Sequence, residues 1–230
     1  MINFEIPFSM IVAGPSGCGK SSFVERLVNK FIIEKTFKHI HWYNNDIRAI
    51  PKELQSSGLI EVHTEIPNTF DQIEDDSLII LDDLMLEAFN KAVCGLFVRK
   101  SHHHNISVIL TSQNVFHQTK LSRDISLNSK YLVFFKNPRD KSQMLPLARQ
   151  IYPENPMELY RVYKDVTQLP HGYLLFDLTQ STNDILRFRT DIFNNNYSTC
   201  FSPTHLLDSL DCNNEEIEGT KTYALCIKKF

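Results

Sequence analysis

The sequence predicts an α/β fold: a mostly parallel central sheet flanked by helices, with a terminal β-hairpin. Three observations predict it. An apolar strand pattern at Phe8–Ala13 runs into a glycine loop, Gly14-Pro15-Ser16-Gly17-Cys18-Gly19-Lys20-Ser21, and an amphipathic helix pattern over Ser22–Phe31 runs out of it. Strand-like and helix-like segments then alternate, the order that builds crossover units on a parallel sheet. Finally, Ser77-Leu78-Ile79-Ile80-Leu81 carries four consecutive aliphatic residues, as a central parallel strand covered on both faces should, and it ends in Asp82 and Asp83.

The glycine loop fits G-x-x-x-x-G-K-[ST] without a mismatch and has the strand before it and helix after it that the pattern requires. Glycines let backbone N–H groups close around a phosphate with no Cβ in the way, and the helix N-terminus behind them adds partial positive charge. The phosphate-binding set is therefore Gly14, Pro15, Ser16, Gly17, Cys18, Gly19, Lys20, Ser21 and Ser22. In this pattern the lysine neutralises β- and γ-oxygens and the serine hydroxyl ligates Mg²⁺, which assigns those tasks to Lys20 and Ser21. A P-loop NTPase that takes ATP and Mg²⁺ is the expectation.

At 230 residues the chain is long enough for one α/β domain with a small appendage. A net charge of -3 carries no general polyanion-binding signature, so any contact to nucleic acid must come from a local patch or an assembled oligomer. The five cysteines are scattered and include no C-x-x-C pair, so neither a zinc ribbon nor a disulfide framework is indicated. No apolar run approaches the roughly 18 residues of a membrane span, so a soluble, intracellular protein is expected, with no membrane partner.

In order along the chain, Lys38–Tyr43 reads as a second strand closed by the turn residues Asn44-Asn45-Asp46. Pro51–Ser57 reads as a short helix ended by Gly58, Leu59–His63 as a third strand, and Pro67–Ile73 as another short helix. After the aliphatic run, Leu84–Lys100 has near-helical apolar spacing, Ile106–Asn114 is a β-branched buried strand ending in polar amides, and Ser122–Ser129 a short helix or turn. Lys130–Lys136 is a further buried strand. Helices are expected over Asp140–Ile151, broken by Pro153, and over Pro156–Val166. Tyr173–Leu178 and Ile185–Thr190 form the expected hairpin. A domain over 1–193 is the result, with 194–230 a tail that is poorly ordered or binds a partner. Thr222–Ile227 has strand character but no place in this scheme.

Carboxylates at the C-terminal end of a parallel strand sit where open α/β sheets bind ligands. Asp82 is placed to hold Mg²⁺, largely through water, and Asp83 to orient or deprotonate an attacking water. Gln113 ends the strand expected beside the aspartate strand, where it can reach a γ-phosphate or that water. His102-His103-His104 invites a metal reading, but adjacent residues point apart and lack the i, i+4 spacing of a helical metal pair.

With these motifs in view, the chain resembles the packaging ATPases of large and mid-sized DNA viruses and of Polinton or Maverick elements, a branch of the FtsK/HerA superfamily with a RecA/FtsK-like core. The resemblance is carried by Ala13–Ser21, by Leu78–Met85, by Ser101–Asn114, by Ser126–Ser129 and by Phe135–Asp140, and it spans about Pro7 to Phe193. It implies a homo-oligomeric ring that hydrolyses ATP and threads double-stranded DNA, held by its backbone, into a preformed capsid, with a capsid or portal protein as partner. Such a protein works in the host cytoplasm or nucleus, or rides with the virion.

The resemblance also supplies roles. The glutamine that ends the strand after the acidic pair matches Gln113. The second acidic residue is often Glu in that superfamily; Asp83 is one methylene shorter. A ring motor needs an arginine that reaches the neighbouring subunit's γ-phosphate. Arg99, Arg123, Arg139 and Arg149 are available, and Arg139 is favoured because it opens a helix just after a core strand. Arg99-Lys100 and Lys120–Arg123 are candidates for a DNA-facing surface. Two other readings stay open at this point: a nucleotide-binding regulatory module, such as a domesticated mobile-element copy, and a small-molecule kinase.

Overall fold

β1 (Ser9–Ala13) is buried along its whole length, as are β4 (Ser77–Leu81) and β5 (Ser107–Ser112), which accounts for their unbroken apolar runs. The computed structural model describes residues 4–84, 90–100, 104–114, 119–139, 143–194, 197–203, 217–218 and 223–229. They divide into two units, Glu5–Lys130 and the residues from Tyr131 onward together with Phe4.

In the first unit β2 (His39–Tyr43) and β3 (Ile60–His63) complete a five-stranded sheet in the order β1-β5-β4-β2-β3, with every adjacent pair parallel. α1 (Lys20–Ile33) buries Phe23, Val24, Leu27, Val28 and Phe31, an i, i+1, i+4, i+5, i+8 stripe that fixes one helix face on the core. Phe8, Phe31 and Phe37 pack ring against ring under it.

The register is what builds the site. Ala13 pairs with Ser112, Leu81 with Leu110, and Tyr43 with Leu81. Asn44, Asp82 and Thr111 therefore fall on one line at the C-terminal ends, and Gly14 leaves β1 two residues beyond Val12, the partner of Thr111. A slip of one residue would turn these side chains to the other face.

Several expectations shift. Pro67–Ile73 is not a helix but a run of bends and turns; Pro67, Asn68 and Asp71 favour turns over an apolar stripe. Of the helix expected over Leu84–Lys100, the described part is α2's successor α3 (Lys91–Gly95), where α2 is Lys52–Gln55, and α3 continues as a π-helical turn over Leu96–Lys100. The stretch 85–89 lies outside the described residues. α3 starts at Asn90, whose side chain accepts from the Val93 N–H as an N-cap. α4 (Lys120–Leu127) is capped by Thr119 in the same way and starts two residues before the expected Ser122.

The second unit is antiparallel. β6 (Tyr131–Phe135), β7 (Tyr173–Asp177), β8 (Phe188–Thr190), β9 (Tyr197–Pro203), β11 (Tyr223–Lys229) and β10 (Ile217–Glu218) follow one another across it in that order. β7 and β8 are the expected hairpin. α5 (Met144–Ile151) and α6 (Pro156–Val166) follow β6, and α6 has Asn155 as N-cap and Pro156 in its first turn. The Tyr163 hydroxyl donates to the Phe135 carbonyl and accepts from the Asn137 N–H, tying α6 to the end of β6.

The hairpin is pinned by a buried ion pair, Arg189 Nη2 to Asp177 Oδ2 at 3.0 Å, and the Thr179 and Thr182 hydroxyls satisfy the rest of that carboxylate. Strand pairing continues beyond residue 193, into the stretch expected to be a tail. β9 pairs with β8, and Cys200 and Phe201 are buried there. Among the described residues, no helix is long and apolar enough to cross a membrane.

Candidate functional site

Gly14 leaves β1 with its N–H bonded to the Ser112 carbonyl, so the loop starts from a fixed point on the sheet. Gly17 and Gly19 take positive φ, 75° and 108°, a conformation that costs glycine little and other residues more. Gly19 is the N-cap of α1 and offers no side chain to the helix's free N–H groups. Those donors remain available to an anion. Lys20 sits in the first turn, 9% exposed, with Nζ donating to the carbonyls of Gly14 at 2.9 Å and Pro15 at 3.1 Å. The ammonium is thus held over the loop it is expected to serve. Cys18, beside it, has its thiol pushed up by burial against the lowering influence of Lys20. Ser16, Ser21 and Ser22 are exposed.

Asp82 is 2% exposed. Its Oδ1 accepts from the Thr111 hydroxyl at 2.8 Å and its Oδ2 from Asn44 Nδ2 at 3.3 Å. Burial pushes its pKa above the ordinary carboxylate range and the charge on Asp83 adds to the rise, while the bonds from Thr111 and Asn44 and the field of Lys20 oppose it. Asp83 is exposed and left-handed, with φ at 53°, and its N–H donates to the same Thr111 hydroxyl at 3.0 Å. One hydroxyl therefore sets both carboxylates: it donates to the first side chain and accepts from the second residue's backbone.

The expected Mg²⁺ fits this donor set. A buried carboxylate whose charge is only partly compensated, together with a serine hydroxyl at a helix start, offers the hard oxygen ligands that Mg²⁺ prefers. Ser21 and Asp82 are the residues that could hold it. Glu25, four residues after Ser21 and so on the same face of α1, has its pKa raised by burial and then by Asp82, which puts a third carboxylate in the field of the pair.

Gln113 follows Ser112, opposite Gly14 by the register, and is exposed; the Ser112 hydroxyl donates to the Asn114 carbonyl and steadies this turn. Arg139 belongs to the second unit, exposed, with its N–H on Asn137 Oδ1. Arg123 and Arg149 are exposed as well, and the Arg99 and Lys100 side chains lie outside the described set. Of the three adjacent histidines, His102 and His103 lie outside the described residues. His104 meets Asp75 at 3.0 Å on the surface.

Thr111, Asn44 and Glu25 escape a reading of the sequence. Asn44 looks like a turn residue and Thr111 like a β-branched strand residue. Only the pairing of β2 and β5 with β4 brings them to Asp82. Glu25 alone had a local signal, its i+4 spacing from Ser21.

These features and the parallel sheet define the P-loop NTPase fold. No family model matches the sequence. Among curated proteins, an uncharacterised protein, L666, of Acanthamoeba polyphaga mimivirus is 26% identical over 125 residues, 46% of this chain. The match takes 49% of L666, so the chain spans about half the length of the curated relative it matches.

Among solved structures, the genome packaging NTPase B204 from Sulfolobus turreted icosahedral virus 2 in complex with ATP-gammaS superposes with a TM-score of 0.51 at 13% identity. That alignment covers 76% of this chain and 94% of B204. The sulfate complex of B204 aligns with the same TM-score at 12% identity, over 78% and 95% of the two chains. At such identity the likeness establishes a common fold.

Proposed function

We propose that this chain is an ATP-hydrolysing DNA translocase that packages double-stranded DNA into a viral or virus-like capsid, as a ring of identical subunits. The observation that carries the proposal is the convergence of the Lys20 loop and the Asp82-Asp83 pair, locked by Thr111, at the C-terminal edge of one sheet. A fold shared with a viral genome packaging NTPase supports it, and so do the packaging-ATPase motifs from Ala13 to Asp140.

In this reading the Gly17 and Gly19 N–H groups of the loop and those at the start of α1 bind the triphosphate, and Lys20 takes up charge on the β- and γ-oxygens. Ser21 and Asp82 would hold Mg²⁺, which would supply charge neutralisation at the phosphates. Asp83 points into solvent from a fixed backbone and orients the attacking water. Gln113, between β5 and the segment beyond it, senses whether the γ-phosphate is present. Arg139 serves the neighbouring subunit's site. Lys120 and Arg123, exposed on α4, contact the DNA backbone, so binding weakens steeply with salt.

The ring is tested by mixing subunits. Lys20→Ala subunits keep Arg139 but lose their own site, and Arg139→Ala subunits keep a site but lose the arginine. Mixed in equal amounts with long duplex DNA, they are expected to recover ATP turnover well above either alone. Mixed rings that assemble yet show no recovery would remove Arg139 from the site.

A further inference from the structure

The edge of the parallel sheet carries a second cluster that the nucleotide reading does not use. His41 of β2 stands opposite Glu61 of β3 and Tyr43 opposite His63, and residues two apart in a strand share a face. The register thus brings two imidazoles and a carboxylate together on one side of the sheet. Among the described residues, this is the only trio of His, Cys, Asp or Glu side chains close enough to share a metal ion.

The distances are specific. His41 Nδ1 lies 3.3 Å from His63 Nε2 and 3.6 Å from Glu61 Oε2, and His63 Nε2 lies 4.0 Å from the same oxygen. The point equidistant from the corners of that triangle is about 2.1 Å from each, the length of a zinc bond to imidazole nitrogen or carboxylate oxygen, about 2.0–2.2 Å.

A separate observation points to a ligand. The His41 side chain is only 4% exposed, and its other ring nitrogen, Nε2, faces Glu74 Oε2 at 3.4 Å. A carboxylate behind the far nitrogen of a histidine is the arrangement that orients a metal-bound imidazole and raises its basicity. The His63 ring is stacked on Tyr43 with centroids 4.6 Å apart, which holds its plane.

We propose that His41 Nδ1, Glu61 and His63 Nε2 form a binding site for a divalent transition-metal ion, Zn²⁺ foremost, with water in the fourth position and Glu74 as the outer carboxylate on His41. Two nitrogens and one oxygen suit Zn²⁺ and disfavour Mg²⁺, so the site is chemically separate from Ser21 and Asp82. The ion clips edge strand β3 to β2 and to the segment that leads into β4. The proposal stands independently of ATP hydrolysis.

The test uses the full chain, nucleotide-free and stripped by a chelator. Titration calorimetry with Zn²⁺ in millimolar Mg²⁺ is expected to give one ion per chain, and Co²⁺ in its place to give the intense visible absorption of a four-coordinate site. Tm should rise with the logarithm of free Zn²⁺. Glu61→Gln and His63→Ala should each weaken binding by about 100-fold or more, and Glu74→Gln by about 10-fold. A variant with His102, His103 and His104 all changed to Ala should bind as the parent does. Because Glu61 is exposed, Glu61→Gln carries the test even if His63→Ala melts early. Absence of stoichiometric Zn²⁺ binding, or binding that survives Glu61→Gln and His63→Ala but disappears in the His102–His104 variant, would overturn the site.

Discussion

Lys20→Ala is expected to lower ATP turnover by about 10³-fold or more while leaving the fold intact, on the scale of removing a cation from a phosphoryl-transfer site. Lys20 is 9% exposed and its ammonium rests on the Gly14 and Pro15 carbonyls, so it is held at the loop before any phosphate arrives. In a poorly solvated loop its charge is worth more than it would be in water. The same geometry says why the variant should fold. Alanine removes a partly desolvated charge along with two hydrogen bonds, and the loop's outer residues are open to water that can satisfy the carbonyls. Stability should then change by no more than about 1 kcal/mol. Steady-state turnover and a thermal melt on the same preparation check both halves. A variant that melts like the parent and hydrolyses within tenfold of it would take Lys20 out of the chemistry.

Asp82→Asn is expected to lower Mg²⁺-dependent turnover on the order of 100-fold, since the buried ligand loses its charge but keeps its shape. Its effect on the ligand-free protein should have the opposite sense. Burial raises the Asp82 pKa, so between the ordinary aspartate value of 3.8 and the raised value the folded state holds a proton that the unfolded state has released. Stability from this group is therefore lost as pH rises through that window, and a neutral Asn loses none. The Tm of the variant relative to the parent should climb as pH goes from below the window to above it, without nucleotide or Mg²⁺. A parent-minus-variant Tm that stays constant over that range would mean the buried carboxylate carries no such penalty.

The two effects together describe a residue kept for chemistry at a cost in stability. Thr111 and Asn44 limit that cost by giving the carboxylate one hydrogen bond on each oxygen.

Much of this site is legible in the sequence because its parts are local. Gly14–Ser21 is contiguous, its flanking strand and helix are contiguous, and Asp82-Asp83 directly follow the aliphatic run that announces a central strand. What could not be read depends on pairing between distant strands. Thr111 acts on Asp82 only through the β4–β5 register, and Asn44 only through β2–β4. The His41–Glu61–His63 cluster is hidden for the same reason: Glu61 and His63 alternate within one strand, but His41 comes from its neighbour.

Pro67–Ile73 was legible in the other direction, since Pro67, Asn68 and Asp71 favour the turns that form there. Strand β9 could not be anticipated from its own composition, because its buried Cys200 and Phe201 make sense only against β8. The left-handed backbone of Asp83 is likewise tertiary in origin, held by the Thr111 hydroxyl.

The central claim is that ATP hydrolysis at Lys20, Asp82 and Asp83 is coupled to double-stranded DNA. Steady-state ATP turnover measured without DNA, with short duplexes and with long duplex DNA tests it most directly. Turnover is expected to rise several-fold with duplex length, to fall again as salt is raised, and to be absent throughout in Lys20→Ala. Equal turnover with and without long duplex DNA, from a protein that stays monomeric, would contradict it.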